Sequence, residues 1–399
     1  MATTRPMPLH LRRSGFAPVD ELTQVRDREG VTRIETTFGE PAWLVTRYED
    51  VREVLSDPER FSNAAGMFAP NQEMRLSEEE IAQQRAGQLL ALDPPEHTRL
   101  RRMLTPEFTV RRMRELALRI EAIVESHLDA LERTGPPADL VSEFALPIPS
   151  LVICELLGVP YSEREEFQRR TRRQLDLSLP TDEQMRLARE SRAFMHRQVE
   201  RAQRSPGEDM LGMLVREHGT ELSTDELVGI AGLLLVAGHE TTANMLGLGV
   251  LALLQHPEQL ALLRDDPAVV GPAVEELLRW LTIVPSVIPR TTTTAVTVAG
   301  QHISAGERVL CSLPAANRDP ALLTDPERLD ITRGVPGHVA FGHGVHHCLG
   351  APLARMEMTI AFPALLRRFP NLSLAVPFEQ IEFRSHHVVF GIHALPVTW

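Results

Sequence analysis

The sequence predicts a mainly helical α+β fold, built as a single domain over residues 1–399 with a few small β-sheets. Helical spacing of apolar residues dominates the chain, and residues 227–254 form an apolar stretch long enough for one central helix. The runs with strand character are short and lie at residues 31–46, 295–311 and 371–391.

Composition narrows the class of protein. The chain has 399 residues, of which 43% are hydrophobic, and this is enough for a large core. The net charge of −12 argues against a general nucleic-acid binder, which would carry a basic surface. Three cysteines without paired spacing indicate a reducing compartment. Because the N-terminal residues lack the apolar run of a signal peptide or membrane anchor, we expect a cytoplasmic protein.

The first predicted element is a β-hairpin. Residues 31–37 and 42–46 are short β-branched runs on either side of a Gly-Glu-Pro turn. From Tyr48 the spacing becomes helical. Residues 62–90 mix glycine, proline and asparagine with scattered apolar residues, which predicts a long irregular connection with a short helix inside. Connections of this length are often functional, although a merely solvated loop fits the same pattern.

A helix is predicted after Pro94 and Pro95, and it places His97 and Arg101 one turn apart on the same face. Two cationic donors at this separation suit the acidic edge of a ligand, but they also suit a solvated surface. The region is basic within an acidic protein, which suggests docking of an acidic partner, although a solvated face fits the same charges equally well. Its further arginines are Arg99, Arg102, Arg111, Arg112 and Arg114.

The predicted central helix carries the motif A-G-H-E-T-T. Its length allows a membrane span, but Glu240 and the neighbouring His239 would be costly in lipid. A buried carboxylate needs a partner or a function. Because Gly238 and the two threonines that begin at Thr241 weaken helical hydrogen bonding, we expect the helix to open locally here.

The last strong pattern is a glycine-rich loop that places Cys348 directly before a predicted helix over residues 349–368. Helix N-terminal amides favour a thiolate, and Gly342 and Gly344 let the backbone approach a flat partner. We therefore interpret Cys348 as a ligand of haem iron. Two alternatives remain at this point: a buried structural cysteine and a zinc site. The zinc site would use the neighbouring histidines His343, His346 and His347.

The loop reads F-x-x-G-x-x-x-C-x-G from Phe341 to Gly350, and with it the chain resembles soluble bacterial cytochrome P450 monooxygenases, the actinobacterial ones in particular. The resemblance implies the cytochrome P450 fold, with haem b between the central helix and the Cys348 loop. It assigns haem binding to His97, Arg101, Ala237, Arg290, Phe341, Gly342, His346, Cys348 and Gly350. Cys348 is the axial thiolate ligand of the metal, and several of the cations reach haem propionates.

By the same resemblance Glu240 relays protons from solvent, and Thr241 steadies bound dioxygen and its water chain. A mobile lid is expected at residues 162–204. The extended segment over residues 281–290, in which two prolines forbid a helix, contributes to the substrate pocket. The implied pocket residues are Leu233, Leu234, Ala237, Ile283, Val284, Val287, Ile288 and Val389.

The resemblance also assigns a structural role to Glu276 and Arg279. By their i, i+3 spacing alone, the two residues fit any solvated helix. In the family they form a buried ion pair, and a third residue, an arginine that corresponds to Arg328 here, joins it. Leu329 stands where the family has an aromatic residue, which weakens the local packing inference.

The implied activity is monooxygenation, in which dioxygen and electrons from NAD(P)H are used to hydroxylate a lipophilic small molecule. Polyketides or macrolides, terpenoids, sterol-like and drug-like compounds fit the apolar pocket. The electrons arrive through a separate ferredoxin or flavodoxin on the basic face. The alternatives are a haem oxidant for epoxidation, phenol coupling or peroxide-driven oxidation, and a haem-binding protein without turnover. A monomer without nucleic-acid partner or membrane anchor is expected.

Overall fold

The computed structural model describes residues 7–37, 39–67, 77–384 and 386–399. Helices make up 57% of it and the sheets are small, which confirms the mainly helical α+β class. The α-helices are α1 Asp20–Arg28, α2 Tyr48–Ser56, α3 Ala64–Met67, α4 Glu78–Arg85, α5 Glu96–Leu104, α6 Val110–Thr134, α7 Pro147–Leu157, α8 Arg164–Gln174, α9 Thr181–Arg204, α10 Met210–His218, α11 Thr224–Leu254, α12 Pro257–Asp265, α13 Val270–Leu281, α14 Leu313–Asn317 and α15 Ala351–Arg368.

The strands are short. They are β1 Arg13–Ser14, β2 Ala17–Pro18, β3 Val31–Glu35, β4 Pro41–Val45, β5 Phe61–Ser62, β6 Ala138–Asp139, β7 Arg290–Thr292, β8 Val296–Val298, β9 Gln301–Ile303, β10 Arg308–Cys311, β11 Ser373–Leu374 and β12 Pro396–Thr398. Single turns of 3₁₀ helix lie at Leu9–Leu11, Leu89–Ala91, Thr105–Phe108, Tyr161–Glu163, Pro267–Val269, Gly344–His346 and Phe378–Gln380, and a π-helical turn lies at Val141–Ala145.

The largest sheet has the strand order β3-β4-β10-β7-β5. The predicted hairpin is confirmed, because β3 and β4 pair antiparallel from Val31 opposite Val45 to Glu35 opposite Pro41. β10 joins β4 in parallel, and β7 joins β10 antiparallel. Two-stranded sheets form from β1 with β2 and from β8 with β9, and β11-β12-β6 is a three-stranded sheet.

Two sequence-based expectations need comment. Of the predicted strand region 371–391, the described residues form a strand only at Ser373–Leu374. The strand ends there because Pro377 has no amide hydrogen for a ladder and a 3₁₀ turn follows. The later described residues of the region have only single bridge positions, at Phe383 and His387, so the prediction of further strands was wrong. Within the predicted connection 62–90, residues 68–76 lie outside the described residues, and α4 supplies the expected short helix.

The chain divides into two compact units, and the prediction of a single domain stays a prediction. The first unit contains the described residues of Met1–Ala69, Leu248–Cys348 and Phe383–Gly391. It holds the largest sheet and an apolar core to which Val45, Val51 and Phe61 belong.

The second unit contains the described residues of Pro70–Gly247, Leu349–Glu382 and Ile392–Trp399. It is mostly helical: α15 and α7 pack against α6, and α8 and α10 pack against α9. Most of the central helix α11 lies here. Within the described part of the chain, no single helix is both long and apolar enough to cross a membrane; α11 and α12 pass such a test only as a pair that bends by 112°.

The start of α11 is fixed in two ways. Ser223 and Glu226 form a capping box, in which the Glu226 amide donates to Ser223 Oγ at 3.1 Å and the Ser223 amide donates to Glu226 Oε2 at 2.8 Å. At Gly229 a Cβ would come within 1.8 Å of the Ala86 carbonyl oxygen, so the preceding segment packs directly on the helix backbone. The first turns of the helix are therefore held firmly within this unit.

Candidate active site

In the first unit, the loop before α15 is closed by its own backbone. The Cys348 amide donates to the Phe341 carbonyl at 2.9 Å, and the His347 amide donates to the Gly344 carbonyl at 3.0 Å. Gly342 and Gly344 both have φ of +71°, where a side chain is strained. A Cβ at Gly344 would also come within 2.4 Å of the Leu55 carbonyl oxygen. The loop therefore holds one conformation, in which Cys348 is presented at its surface.

Buried polar groups tie the preceding residues to this unit. The Val339 amide donates to Asn317 Oδ1 at 2.7 Å, and the Tyr48 hydroxyl donates to the Gly337 carbonyl at 2.8 Å. Asn317 is fully buried, and its Nδ2 donates to Thr282 Oγ1 at 2.9 Å. Sequence reasoning missed Asn317, which fixes the approach to the loop.

The three cysteines differ in their surroundings. Burial raises the pKa of Cys154 and of Cys311 to about 12, so both remain thiols. Cys348 is exposed. Among the described residues, no three His, Cys, Asp or Glu side chains are grouped to hold a metal ion, so the histidines beside Cys348 do not form a zinc site. An outward-facing thiol on a rigid loop fits a ligand for an external iron.

Other predicted residues of the first unit lie near this loop or near each other. The position of a Cβ at Gly342 would be 3.9 Å from Val287 Cγ1, so the extended segment 282–289 passes close to the loop. The Phe390 amide donates to the Ile283 carbonyl at 2.8 Å, which brings the turn that contains Val389 to the same segment. Ile283 and Val389 are buried, whereas Val287 is half-buried, as are Val284 and Ile288.

Two of the predicted propionate-binding residues, Arg290 and His346, lie in the first unit. Arg290 begins β7 and is buried, and its Nη1 donates to the Phe61 carbonyl at 3.4 Å. His346 is half-buried and ends the 3₁₀ turn of the loop.

In the second unit, α5 and α11 carry the predicted residues. His97 is buried and Arg101 is half-buried, one turn apart on α5 as expected. On α11, one accessible stripe includes predicted residues. Leu233 and Thr241 are half-buried and Ala237 is exposed, at successive i, i+4 positions, while most of the helix after Leu235 on other faces is buried. Leu234 borders this stripe and is half-buried, and Gly350, at the start of α15, is half-buried too.

The carboxyl group of Glu240 is 2% exposed and lies between two polar neighbours of its own helix. Its Oε1 is 3.6 Å from His239 Nε2. Its Oε2 is 3.5 Å from Asn244 Nδ2, which also donates to the Glu240 main-chain carbonyl at 2.7 Å. Sequence reasoning missed Asn244, although its i+4 spacing from Glu240 was a usable signal.

The local opening that was expected around Gly238 is absent from α11, a segment that is described throughout. The Thr241 hydroxyl donates to the Ala237 carbonyl at 2.7 Å, and His239 Nδ1 lies 2.7 Å from the Leu235 carbonyl oxygen. That prediction was wrong because a carbonyl oxygen has two lone pairs, so it can accept a side-chain hydrogen in addition to the helical amide.

Glu276 and Arg279 form a fully buried, bidentate ion pair, with Nε to Oε2 and Nη2 to Oε1 both at 2.8 Å. Arg279 Nη1 also donates to the carbonyls of Asn317 and Pro326. The Arg328 side chain, which was expected to join this pair, does not do so. The Arg328 side chain is 63% exposed and binds Asp330 at 2.5 Å, so only its main-chain carbonyl meets Arg279, at 3.4 Å.

The basic surface is smaller than the sequence suggested. Arg99 is paired with Glu96 and Glu226, and Arg112 is paired with Glu107 and Glu115. The remaining three arginines are exposed and have no ion pair with any described residue; they are Arg102, Arg111 and Arg114. The surface on which an acidic partner was expected thus keeps these three charges.

Comparisons with known proteins give consistent matches. A family model described as Cytochrome P450 matches residues 181–396. Cytochrome P450 FAS1 of Rhodococcoides fascians is 52% identical over 400 residues, covering 100% of both chains. The structure of P450 StaH from glycopeptide antibiotic A47934 biosynthesis has a TM-score of 0.87 at 46% identity, covering 99% of this chain and 100% of that one. CYP105P1 in complex with filipin I has a TM-score of 0.89 at 41% identity and covers 97% of both chains.

Proposed function

The chain belongs to the cytochrome P450 family of monooxygenases, and from this membership we propose that it hydroxylates a lipophilic small molecule with a haem b whose iron is ligated by Cys348. The observation that carries the assignment of the ligand is the exposure of Cys348 on a rigid, glycine-turned loop, while the other two cysteines are buried.

In the first unit the donors suit a haem: Cys348 would supply a thiolate, and Arg290 and His346 would supply donors for a propionate. By family membership we assign the same task to His97 and Arg101 of the second unit. When bound, the haem supplies dioxygen activation, in which one oxygen atom enters the substrate and the other leaves as water with the uptake of electrons and protons. We assign the remaining tasks to side chains of the protein: excluding water, orienting the substrate and moving protons.

Glu240 and Thr241 are the proposed proton-handling residues. Because the Thr241 hydroxyl donates its hydrogen to the Ala237 carbonyl, its lone pairs remain to accept a hydrogen bond from water on the accessible stripe of α11. Leu233 and Ala237 flank it on that stripe and limit the amount of water there. Glu240 is buried beside it, with Oε1 3.6 Å from His239 Nε2 and Oε2 3.5 Å from Asn244 Nδ2, and we assign proton exchange to its carboxyl group.

The relatives support a substrate from secondary metabolism. StaH belongs to the biosynthesis of a glycopeptide antibiotic, and CYP105P1 binds filipin I. The pocket residues that we assign are aliphatic, with Ile283, Val287 and Val389 in the first unit, and they suit an apolar substrate surface. Product analysis by mass would identify hydroxylation by the gain of one oxygen atom, whereas phenol coupling would remove hydrogen without adding oxygen.

We propose that a ferredoxin or flavodoxin delivers the electrons at the exposed arginines Arg102, Arg111 and Arg114. Positive surface charge steers an acidic partner, so the rate of reduction by such a partner should fall as ionic strength rises. A rate that does not depend on salt would place the docking surface elsewhere. A cytoplasmic location and a monomeric state remain predictions.

The carbon monoxide difference spectrum of the dithionite-reduced protein tests the ligand. We expect a strongly red-shifted Soret band, because a thiolate bound to the haem iron would produce it, and we expect Cys348→Ser to lose that band. Cys154→Ser, at a buried site, is the matched control and should keep it. A band at the position of histidine ligation in the wild type would overturn the assignment.

The proton-handling role has its own test. Thr241→Ala removes the hydroxyl but keeps the helix. We expect the electrons to reduce dioxygen to hydrogen peroxide or water without forming product, while the carbon monoxide spectrum is unchanged. Thr242→Ala, at the neighbouring buried position, is the control. Product yield per electron that stays at the wild-type level in Thr241→Ala would exclude the proposed role.

A further inference from the structure

Arg13 reaches from the N-terminal hairpin to the end of α13. It begins β1, where it is paired with Pro18 of β2. Its Nη2 donates to the Thr282 carbonyl at 2.7 Å, and its Nη1 donates to the Leu281 carbonyl at 3.4 Å. The last carbonyls of a helix lack amide partners within that helix and carry its partial negative charge. A guanidinium, whose several donors lie in one plane, therefore suits this helix end.

The same guanidinium lies over the ring of Phe390, with Cζ 4.8 Å from the ring centroid. A cation at this distance is attracted by the face of an aromatic ring. The Phe390 amide also donates to the Ile283 carbonyl at 2.8 Å. Residues 282–283 and Phe390 are thus joined twice, directly by this hydrogen bond and indirectly through Arg13. All these residues belong to the first unit.

The other groups around Arg13 do not draw it away from these two segments. Its Nη1 also donates to the Phe16 carbonyl of its own hairpin at 3.5 Å, and no carboxylate of a described residue pairs with it. Arg318 is a second cation nearby, and it is itself paired with Glu327. Burial and the charge of Arg318 lower the pKa of Arg13, but a guanidinium keeps its proton at neutral pH. Main-chain carbonyls and the ring of Phe390 therefore hold a charged side chain.

Thr282 is where the chain leaves α13 for the extended segment 282–289 of the predicted pocket. It is buried, and its φ of +37° lies in the left-handed region, which strains a β-branched residue. Such strain persists only where the surroundings impose it, and it is common beside ligand sites. The Thr282 hydroxyl donates to the Arg279 carbonyl at 2.5 Å and accepts from Asn317. Arg13 holds the carbonyl of the same residue, so it helps to fix the direction in which the segment leaves the helix.

We propose that Arg13 is a positioning residue that holds two walls of the substrate pocket together, the segment after α13 and the turn that contains Val389. Ile283 follows the carbonyl that Arg13 binds, and Val389 precedes the ring that it covers. Both side chains are buried and aliphatic, so their separation limits the width of an apolar pocket. This inference deepens the proposed function and rests on the assignment of these two residues to the pocket.

The first test measures hydrogen–deuterium exchange of the Phe390 amide in the holoenzyme by mass spectrometry. Arg13→Met removes the donors and the charge but keeps a long side chain against the ring. We expect exchange to become about tenfold faster, as the loss of a hydrogen bond from a charged group predicts. Arg12→Met is the matched control, because Arg12 also donates to a main-chain carbonyl, that of Met7 at 2.8 Å.

In Arg12→Met the Phe390 amide should exchange at the wild-type rate. A wild-type rate in Arg13→Met, or equal acceleration in the two variants, would overturn the proposal. Arg13→Lys keeps the charge but not the planar group, so it should exchange faster than the wild type and more slowly than Arg13→Met. It remains decisive where Arg13→Met does not fold, because a wild-type rate in Arg13→Lys would then overturn the proposal.

The second test probes the pocket by spectral titration with two ligands that bind haem iron through the same group. Imidazole occupies little of the pocket, whereas 1-octylimidazole also places its alkyl chain against the apolar walls. We expect Arg13→Met to raise the dissociation constant of 1-octylimidazole about tenfold, as if about two methylene groups lost their apolar contacts, and to leave that of imidazole unchanged. Equal changes for the two ligands, or none, would show that Arg13 does not act on the pocket walls.

Failure of the proposed function looks different. The wild type itself would then lack the thiolate spectrum or bind neither ligand. The exchange rates at Phe390 do not depend on a haem signal, so they separate the two cases.

Discussion

Glu276→Gln removes one charge from an ion pair in which both side chains are 0% exposed. Arg279 would keep its charge and its bonds to main-chain carbonyls, but its two short bonds of 2.8 Å to the carboxylate would meet a neutral amide. Removing one partner of a buried pair costs about 3–5 kcal/mol. The folding equilibrium constant should therefore fall by roughly one hundred- to a few thousand-fold, since about 1.4 kcal/mol corresponds to a factor of ten.

Urea unfolding followed by far-ultraviolet circular dichroism measures this loss, and the chain contains a matched control. Glu96 and Arg99 have the same i, i+3 spacing and lie 2.6 Å apart, but their side chains are 51% and 34% exposed. Glu96→Gln should cost about 1 kcal/mol or less, because exposed pairs are screened. Equal losses of stability in the two variants would refute the argument that burial sets the cost.

The same variant should also disturb the loop that carries Cys348. Arg279 Nη1 donates to the Asn317 carbonyl at 3.0 Å, and Asn317 Oδ1 accepts from the Val339 amide before the loop. A Glu276→Leu/Arg279→Met double variant should recover part of the stability, because no buried charge is left. It should not recover full haem retention, because the bond to Asn317 is lost as well.

Two further predictions concern titration and reactivity. In haem-free protein at pH about 8, alkylation should modify Cys348 and spare Cys154 and Cys311, because burial raises the pKa of each of these two thiols to about 12. Intact mass spectrometry counts the adducts. More than one adduct per chain would contradict this prediction. Burial lowers the pKa of His10 to about 4, whereas histidine in an unfolded chain has a pKa near 6.5. Above about pH 6.5 the residue is neutral in both states and costs no stability. As the pH falls towards 4, only the unfolded chain takes up the proton, so His10 increasingly destabilises the fold. His10→Leu should weaken the loss of stability between pH 8 and pH 5 in urea unfolding, and an unchanged pH dependence would show that another group causes it.

Sequence patterns predicted the elements whose formation depends on residues close together in the chain. The β-branched runs before and after the turn at Gly39 became a hairpin, and the apolar stretch became α11. The prediction for Arg328 failed because a motif gives the position of an arginine but not the direction of its side chain. Asp325 and Asp330 hold its guanidinium in solvent, so the chain offers a carbonyl to Arg279 instead. The stripe of accessible residues on α11 was likewise not visible in a segment that is apolar on most faces.

Asn317 shows where sequence reasoning reaches its limit and what the fold adds. It is 38 residues from Arg279 and 22 residues from Val339, so no helical or strand period relates the three. The fold brings them together, with the carbonyl of Asn317 on the buried arginine and its side chain on the segment that leads into the glycine-rich loop. A buried asparagine with all these bonds made holds its neighbours in one arrangement, because breaking any of them would leave a polar group unsatisfied in the core. We therefore expect the charge on Glu276 to affect the position of Cys348 through Arg279 and Asn317, without a direct contact to the loop that presents the thiol.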